Sequence, residues 1–285
     1  MSAPGGPTVR RILLGAHLRR LREASGLTRE AAGYQIRASE SKISRLELGR
    51  VSFKERDITD LLELYGVQDE LQREALAALA RDANSPGWWH SYDDVMPNWF
   101  QTYVGLEEAA TLIRTYEIQF LPGLLQTKAY ALAVVSAGAP EASTSEVERR
   151  VHLRVTRQEI LRRPSPPRLW AVVDEAALHR PIGGREVMKA QVAHLLELME
   201  QPNVTLQIMP FRFGAHAGEG GAFTLLRFPE PELPDVVYLE QLVSASYLDK
   251  TEYVERYART MDRLTVDSQP PESTPETLRR ILAQI

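Results

Sequence analysis

The sequence predicts an α+β chain: an all-α head of five helices, then a larger domain that mixes helices with a β-sheet. Three observations carry this reading. From Ile12 to Asn84 the apolar residues recur at helical spacing. After Arg168, four short runs, RLWAVVDE, VTLQIMPF, AFTLLRF and VVYLEQL, are rich in β-branched and aromatic residues and read as strands. Between the two regions SPGWWHSYDDVMPNWF breaks the pattern with two prolines and three tryptophans. The 285 residues leave room for one large domain or two modest ones.

The elements follow in order. Residues 1–9 read as a flexible tail, and residues 10–84 as the helical head with a connector helix. Leu14, Leu18 and Leu21 line the first helix, which Gly26 ends in a left-handed cap. Thr28 caps a short second helix and Ser39 a third, ESKISRLE. Ser52 and Glu55 form a capping-box pattern before ERDITDLLELYG, which ends at Gly66. The connector runs from Asp69 to Asn84. Residues 85–268 form the α+β domain. In it EEAATLIRTYE looks like an amphipathic helix, and TKAYALAVV and SEVERRVHLRVTRQEIL are helical, the latter with a capping-box pattern at Ser145 and Glu148. REVMKAQVAHLLELME and KTEYVERYARTMDRLT are further helices. Residues 269–285 read as a linker and a terminal helix capped by Thr274.

Composition sets limits on function. The absence of cysteine removes disulfides, thiolate metal sites and a cysteine nucleophile, and suits a reducing cytoplasm. The longest uncharged apolar stretch, AYALAVVSAGA, is too short to span a membrane, so no membrane is expected. The net charge of −4 conceals an asymmetry: residues 1–50 carry +6 and the remainder −10. A basic head on an acidic body points to DNA at one end and to another kind of partner at the other.

Thr28 to Leu46 fits a helix-turn-helix. Ala32 and Gly33 are small where two helices cross, and Ile36 anchors the turn. On the second helix Ile43 and Leu46 form the buried side. Glu40, Ser41, Lys42 and Arg45 are the candidate base contacts: arginine can chelate guanine O6 and N7, and glutamate can accept from cytosine N4. Thr28, Arg29, Ser39, Ser44 and Arg50 are the candidate phosphate contacts, with Arg10, Arg11 and Lys54 extending the footprint.

On LRRLREASGLTREAAGYQI and SKISRLELGR, the head resembles the xenobiotic-response-element (XRE) helix-turn-helix class, which has the fold of the lambdoid phage repressors. The resemblance implies a structural ion pair between Arg22 and Glu47. Tyr34 and Arg37 depart from the common pattern, Arg37 at a turn position where relatives often carry glycine. The later stretches, GWWHSYDDVMPNWFQTYVGLEEAATLIRTYEIQFLPGLLQTKAYA with IMPF, GAHAGEGGAFTLLRF and VVYLEQLVSASYLD, resemble the C-terminal domain of antitoxin-like XRE regulators of actinomycetes such as Streptomyces. That likeness implies a regulator whose large domain meets a small protein encoded by a neighbouring gene.

No catalytic or metal motif stands out in the large domain, so no catalytic residue, metal or cofactor is assigned and the chain is not expected to be an enzyme. The histidines are scattered, and Gly214, Gly218, Gly220 and Gly221 read as a hairpin loop between two strands. Glu240 lies in an otherwise apolar strand. The alternative reading makes it the catalytic acid of a DNA-targeted enzyme with an ADP-ribosyltransferase-like domain. Trp88, Trp89 and Trp99 are either core residues or the lining of a partner or ligand groove. The expected function is a sequence-specific DNA-binding regulator, a homodimer on double-stranded DNA, cytoplasmic and nucleoid-associated, controlled through its C-terminal domain by a small partner protein or ligand.

Overall fold

The computed structural model describes residues 7–230 and 233–285. It divides into two compact units, residues 7–90 with 104–109, and residues 91–103 with 110–285. Among the described residues, no helix is long and apolar enough to cross a membrane.

The first unit is helical: α1 (Pro7–Ala24), α2 (Arg29–Gln35), α3 (Glu40–Glu47), α4 (Glu55–Leu64) and α5 (Glu70–Ala83). Of the predicted tail, residues 1–6 lie outside the described residues, and residues 7–9 belong to α1, where Val9 is fully buried. Leu14, Leu18, Ile36, Ile43, Leu46 and Ile58 meet in one core, with Leu14, Leu18, Ile43 and Leu46 on the inner faces read from the sequence. Gly26 and Gly66 end their helices with φ of +68° and +74°, the left-handed conformation that glycine adopts without a Cβ penalty.

The start of α4 differs from expectation. Lys54, not Ser52, is its N-cap, with no side-chain capping bond. The reason lies in Asn84, whose side chain bonds both the N–H and the carbonyl of Phe53 and holds that buried residue outside the helix.

The second unit surrounds a six-stranded mixed sheet of order β3-β2-β1-β4-β5-β6, formed by β1 (Leu112–Glu117), β2 (Arg168–Asp174), β3 (Val204–Met209), β4 (Phe223–Arg227), β5 (Val236–Glu240) and β6 (Ala245–Leu248). β1, β2 and β3 run parallel, and β4, β5 and β6 continue antiparallel. Helices α6 (Asn98–Ala109), α7 (Lys128–Gly138), α8 (Thr144–Arg157), α9 (Glu175–His179), α10 (Arg185–Leu198), α11 (Thr251–Asp267) and α12 (Thr274–Gln284) complete the chain. The fold is α+β. Met261 and Leu264 of α11 pack on Tyr116, Phe223, Leu225 and Val237 of the sheet.

Four local readings are corrected. EEAATLIRTYE is not one helix: α6 ends at Ala109 and Leu112–Glu117 is a strand inside the sheet. Ile113, Thr115 and Tyr116 suit a pleated strand, and partners on both sides override the helical pattern. The capping box of α8 is Ser143 with Glu146, two residues earlier than Ser145 with Glu148. Residues 269–285 are tied to the sheet and not a free linker: Gln269 N–H donates to Ile208 O, and Thr274 Oγ1, inside α12 and not its cap, donates to Leu206 O. The glycines between β3 and β4 do not close a hairpin, because β2 and β1 separate those strands.

Candidate nucleic-acid interface

Helices α2 and α3 are built as the sequence implied. Thr28 Oγ1 accepts from Ala31 N–H at 3.1 Å, and Ser39 Oγ accepts from Lys42 N–H at 3.2 Å. Each capping bond uses an acceptor lone pair and leaves the O–H to donate, so an exposed cap hydroxyl can still meet a phosphate. The turn closes through Ala38 N–H to Gly33 O at 2.8 Å, with Ile36 buried beneath it. A Cβ on Gly33 would stand 2.7 Å from Ala38 O, so the crossing needs glycine there. Arg37 adopts φ +54° in this turn, the left-handed conformation that favours glycine.

A buried charge cluster fixes α3 against α1. Arg22, 7% exposed, donates from Nε and Nη2 to both carboxylate oxygens of Glu47, which is 5% exposed. Arg22 Nη1 also donates to Leu27 O at 2.8 Å. The bonds to Glu47 raise the arginine's pKa against the opposing effect of burial. Arg29 Nε adds a third donor to Glu47 at 2.8 Å. Arg29 is thereby anchored through Nε, and its half-exposed guanidinium keeps further N–H donors. Close backbone approach accompanies the pair: a Cβ on Gly15 of α1 would lie 2.5 Å from Leu46 O. Sequence reasoning missed Gly15, because a glycine inside a helix gives no sign of what crosses it.

A second tie joins α3 to α4. Lys42 Nζ donates to Oδ2 of buried Asp57 at 2.5 Å. Lys42 thereby clamps α3 to α4. Ser44 is half-buried on the flank of α3. Glu40, Ser41 and Arg45 remain on the exposed side, with Thr28, Ser39 and Arg50 also exposed around them. Arg45 lies along its helix, Nε reaching Ser41 O at 3.4 Å. Tyr34, 87% exposed at the end of α2, adds an aromatic ring to this surface. Arg10 is half-buried, 3.9 Å from Asp82, and burial lowers the pKa of Arg11, so neither is a simple surface cation.

Residues 13–76 match the family described as Helix-turn-helix domain. Residues 100–280, more than half of the chain, match the family described as Domain of unknown function (DUF5753). The chain belongs to the DUF5753 family. No curated protein matches it, and no solved structure does. The helix-turn-helix domain marks this DUF5753 protein as a DNA-binding regulator.

Within the DUF5753 region the acids cluster where strands end. Glu117 closes β1 and Glu240 closes β5, at the same end of the sheet. Glu240 is exposed and accepts from Tyr238 OH at 2.8 Å. Glu117 is half-buried, a position that sequence reasoning missed because LIRTYE was read as helix. Burial, and then the charge of Glu240, push its pKa up to about 8. Arg154 of α8 belongs to the same group: burial, and then Arg157, bring its pKa down to about 10.

The tryptophans do not form one surface. Trp89 is 2% exposed, close against Gly87 and Gly105 within the first unit, which corrects its place as a groove residue. Trp88 stacks edge-on against it at 5.9 Å and donates to Glu108. Trp99 lies in the second unit, half-buried, its carbonyl accepting from Tyr247 OH. The glycine loop covers Tyr116, whose ring a Cβ on Gly218 would strike at 2.5 Å.

Proposed function

We propose that this protein is a sequence-specific transcriptional regulator of the XRE class that binds double-stranded DNA as a homodimer. One observation carries the reading: α3 offers Glu40, Ser41 and Arg45 outward while Glu47 and Lys42 lock it to α1 and α4. A recognition helix reads bases only if its frame is rigid. One such helix spans few base pairs, and a second copy one helical turn away supplies the missing specificity. The acidic DUF5753 domain is the regulatory half. It binds a small protein encoded by a neighbouring gene, or a ligand, in the manner of an actinomycete antitoxin and its partner. The protein works in the cytoplasm, on the nucleoid, and is not an enzyme.

Genome-wide footprinting of the bound protein tests this. Enriched sites with paired half-sites one turn apart support it, and the absence of enriched sites removes it. Assaying NAD turnover by the wild type and Glu240→Ala tests the non-enzymatic half, which turnover by the wild type alone would overturn.

A further inference from the structure

The sheet has two edges, and they are treated differently. In the parallel pairing of β2 with β3, Leu169 N–H takes Asn203 O, so residues 204, 206 and 208 turn their main-chain groups outward. That edge is closed: Thr274 Oγ1 caps Leu206 O and Gln269 N–H caps Ile208 O. An unprotected edge is a template for another strand, and proteins cover, charge or bend such edges when they are not used.

β6 is the other edge. Gln241 N–H bonds Ser244 O at 2.9 Å, which sets the hairpin phase. Ser246 and Leu248 then pair inward with Leu239 and Val237, and Ala245 and Tyr247 present N–H and C=O outward. Among the described residues no strand pairs with that side. Residues 245–247 contain no charge and no proline. The adjoining hairpin tip consists of Leu242 and Val243, 97% and 81% exposed, where turns ordinarily place glycine, asparagine or aspartate. An open, uncharged edge beside an exposed apolar tip is the pattern of a surface that is used.

We propose that β6 is the seam of the homodimer, pairing antiparallel with β6 of a second copy about a two-fold axis at Ser246. The occupant follows from symmetry. With the axis at Ser246, Ala245 faces Tyr247 of the second copy and exchanges two hydrogen bonds with it, and the symmetric pair supplies two more. A small side chain meets a large one on the same face, and no charged residue of the seam opposes another. The two sheets become one of twelve strands, and the Leu242–Val243 tips flank the joint. This seam rests on the homodimer half of the proposed function and gives it a location.

Sedimentation equilibrium without DNA, on the full chain through the micromolar range, is the first test. The wild type is expected to dimerise. Ala245→Pro combined with Leu242→Lys is expected to raise the dissociation constant about tenfold or more. Its circular dichroism and melting point are expected to stay unchanged, because the outward N–H of residue 245 takes no bond within the sheet. The second test uses the cysteine-free background. Ser246→Cys is expected to oxidise to a single covalent dimer, since residue 246 opposes itself in a close non-hydrogen-bonded pair; Val266→Cys, 81% exposed on α11, is expected not to. A monomeric wild type, a double variant that still dimerises, or a dimer that Ser246→Cys does not cross-link overturns the seam. Each of these outcomes is read without DNA and leaves the footprinting test standing by itself.

Discussion

Arg22 of α1 grips both carboxylate oxygens of Glu47, the last residue of α3, and the pair is almost wholly buried. Twenty-five residues separate the two in sequence, and Arg29 of α2 joins them. Three helices of the head therefore share one carboxylate. Removing it strands two guanidiniums, one of them buried, and breaking a buried pair from one side costs more than the pair itself contributes. Glu47→Ala is expected to destabilise the helical head by about 3 kcal/mol, seen as a lower melting point in calorimetry. A melting point equal to the wild type's would show that the pair does not brace the helices.

Arg37 sits at the tightest point of the turn with φ +54°. A side chain there costs about 1 kcal/mol through the clash of Cβ with the following carbonyl, and glycine escapes it. Arg37→Gly is therefore expected to raise the head's stability by about 1 kcal/mol in urea titration. A loss of stability would mean that the arginine side chain offsets the strain through contacts of its own.

Lys42 and Arg45 are neighbours on α3 with different tasks. Arg45 is exposed, and Lys42 is tied to Asp57 at 2.5 Å. Arg45→Ala is expected to weaken binding to the cognate site by about 1–3 kcal/mol with relaxed base preference. Lys42→Ala is expected to lower the head's melting point, because it strands buried Asp57, while the preferred sequence stays the same. Quantitative binding to a randomised operator library separates the two. If Arg45→Ala weakens all sequences equally, Arg45 touches phosphate alone; if Lys42→Ala changes the preferred base, the clamp is not its role.

The head was legible because its logic is local. Thr28 and Ser39 announce their caps, Gly26 and Gly66 their stops, and Ile43 and Leu46 the inner face of α3. What the sequence hid was decided across distance. Arg29 and Lys42 read only as surface cations, and their ties to Glu47 and Asp57 come from other helices. Leu112–Glu117 keeps helical spacing of apolar residues, yet it lies between β2 and β4, and tertiary pairing overrides local preference. Glu240 drew notice as an acid among apolar residues and proves exposed, while Glu117 went unnoticed and is half-buried at the end of β1. Pattern gives the face of an element, and only the fold gives its neighbours.

Glu117 turns that hidden burial into a pH dependence. Burial and the nearby charge of Glu240 raise its pKa from the usual 4.5 to about 8 in the folded chain. Between those values the folded protein holds a proton that the unfolded chain has released. The resulting stability is fully present below the unfolded value and is lost as pH rises through about 8. Glu117→Gln keeps the neutral form at every pH, so it is expected to flatten stability between pH 5 and 8 and to be more stable than the wild type above that window. Glu240→Gln removes the like charge and lowers the folded pKa of Glu117, so the loss is expected to become smaller and to end at lower pH without vanishing, since burial remains the larger cause. Urea titrations across the pH range read both variants. An unchanged slope in Glu117→Gln would mean that Glu117 is ionised in the folded protein throughout, with Arg154 neutralising it after all.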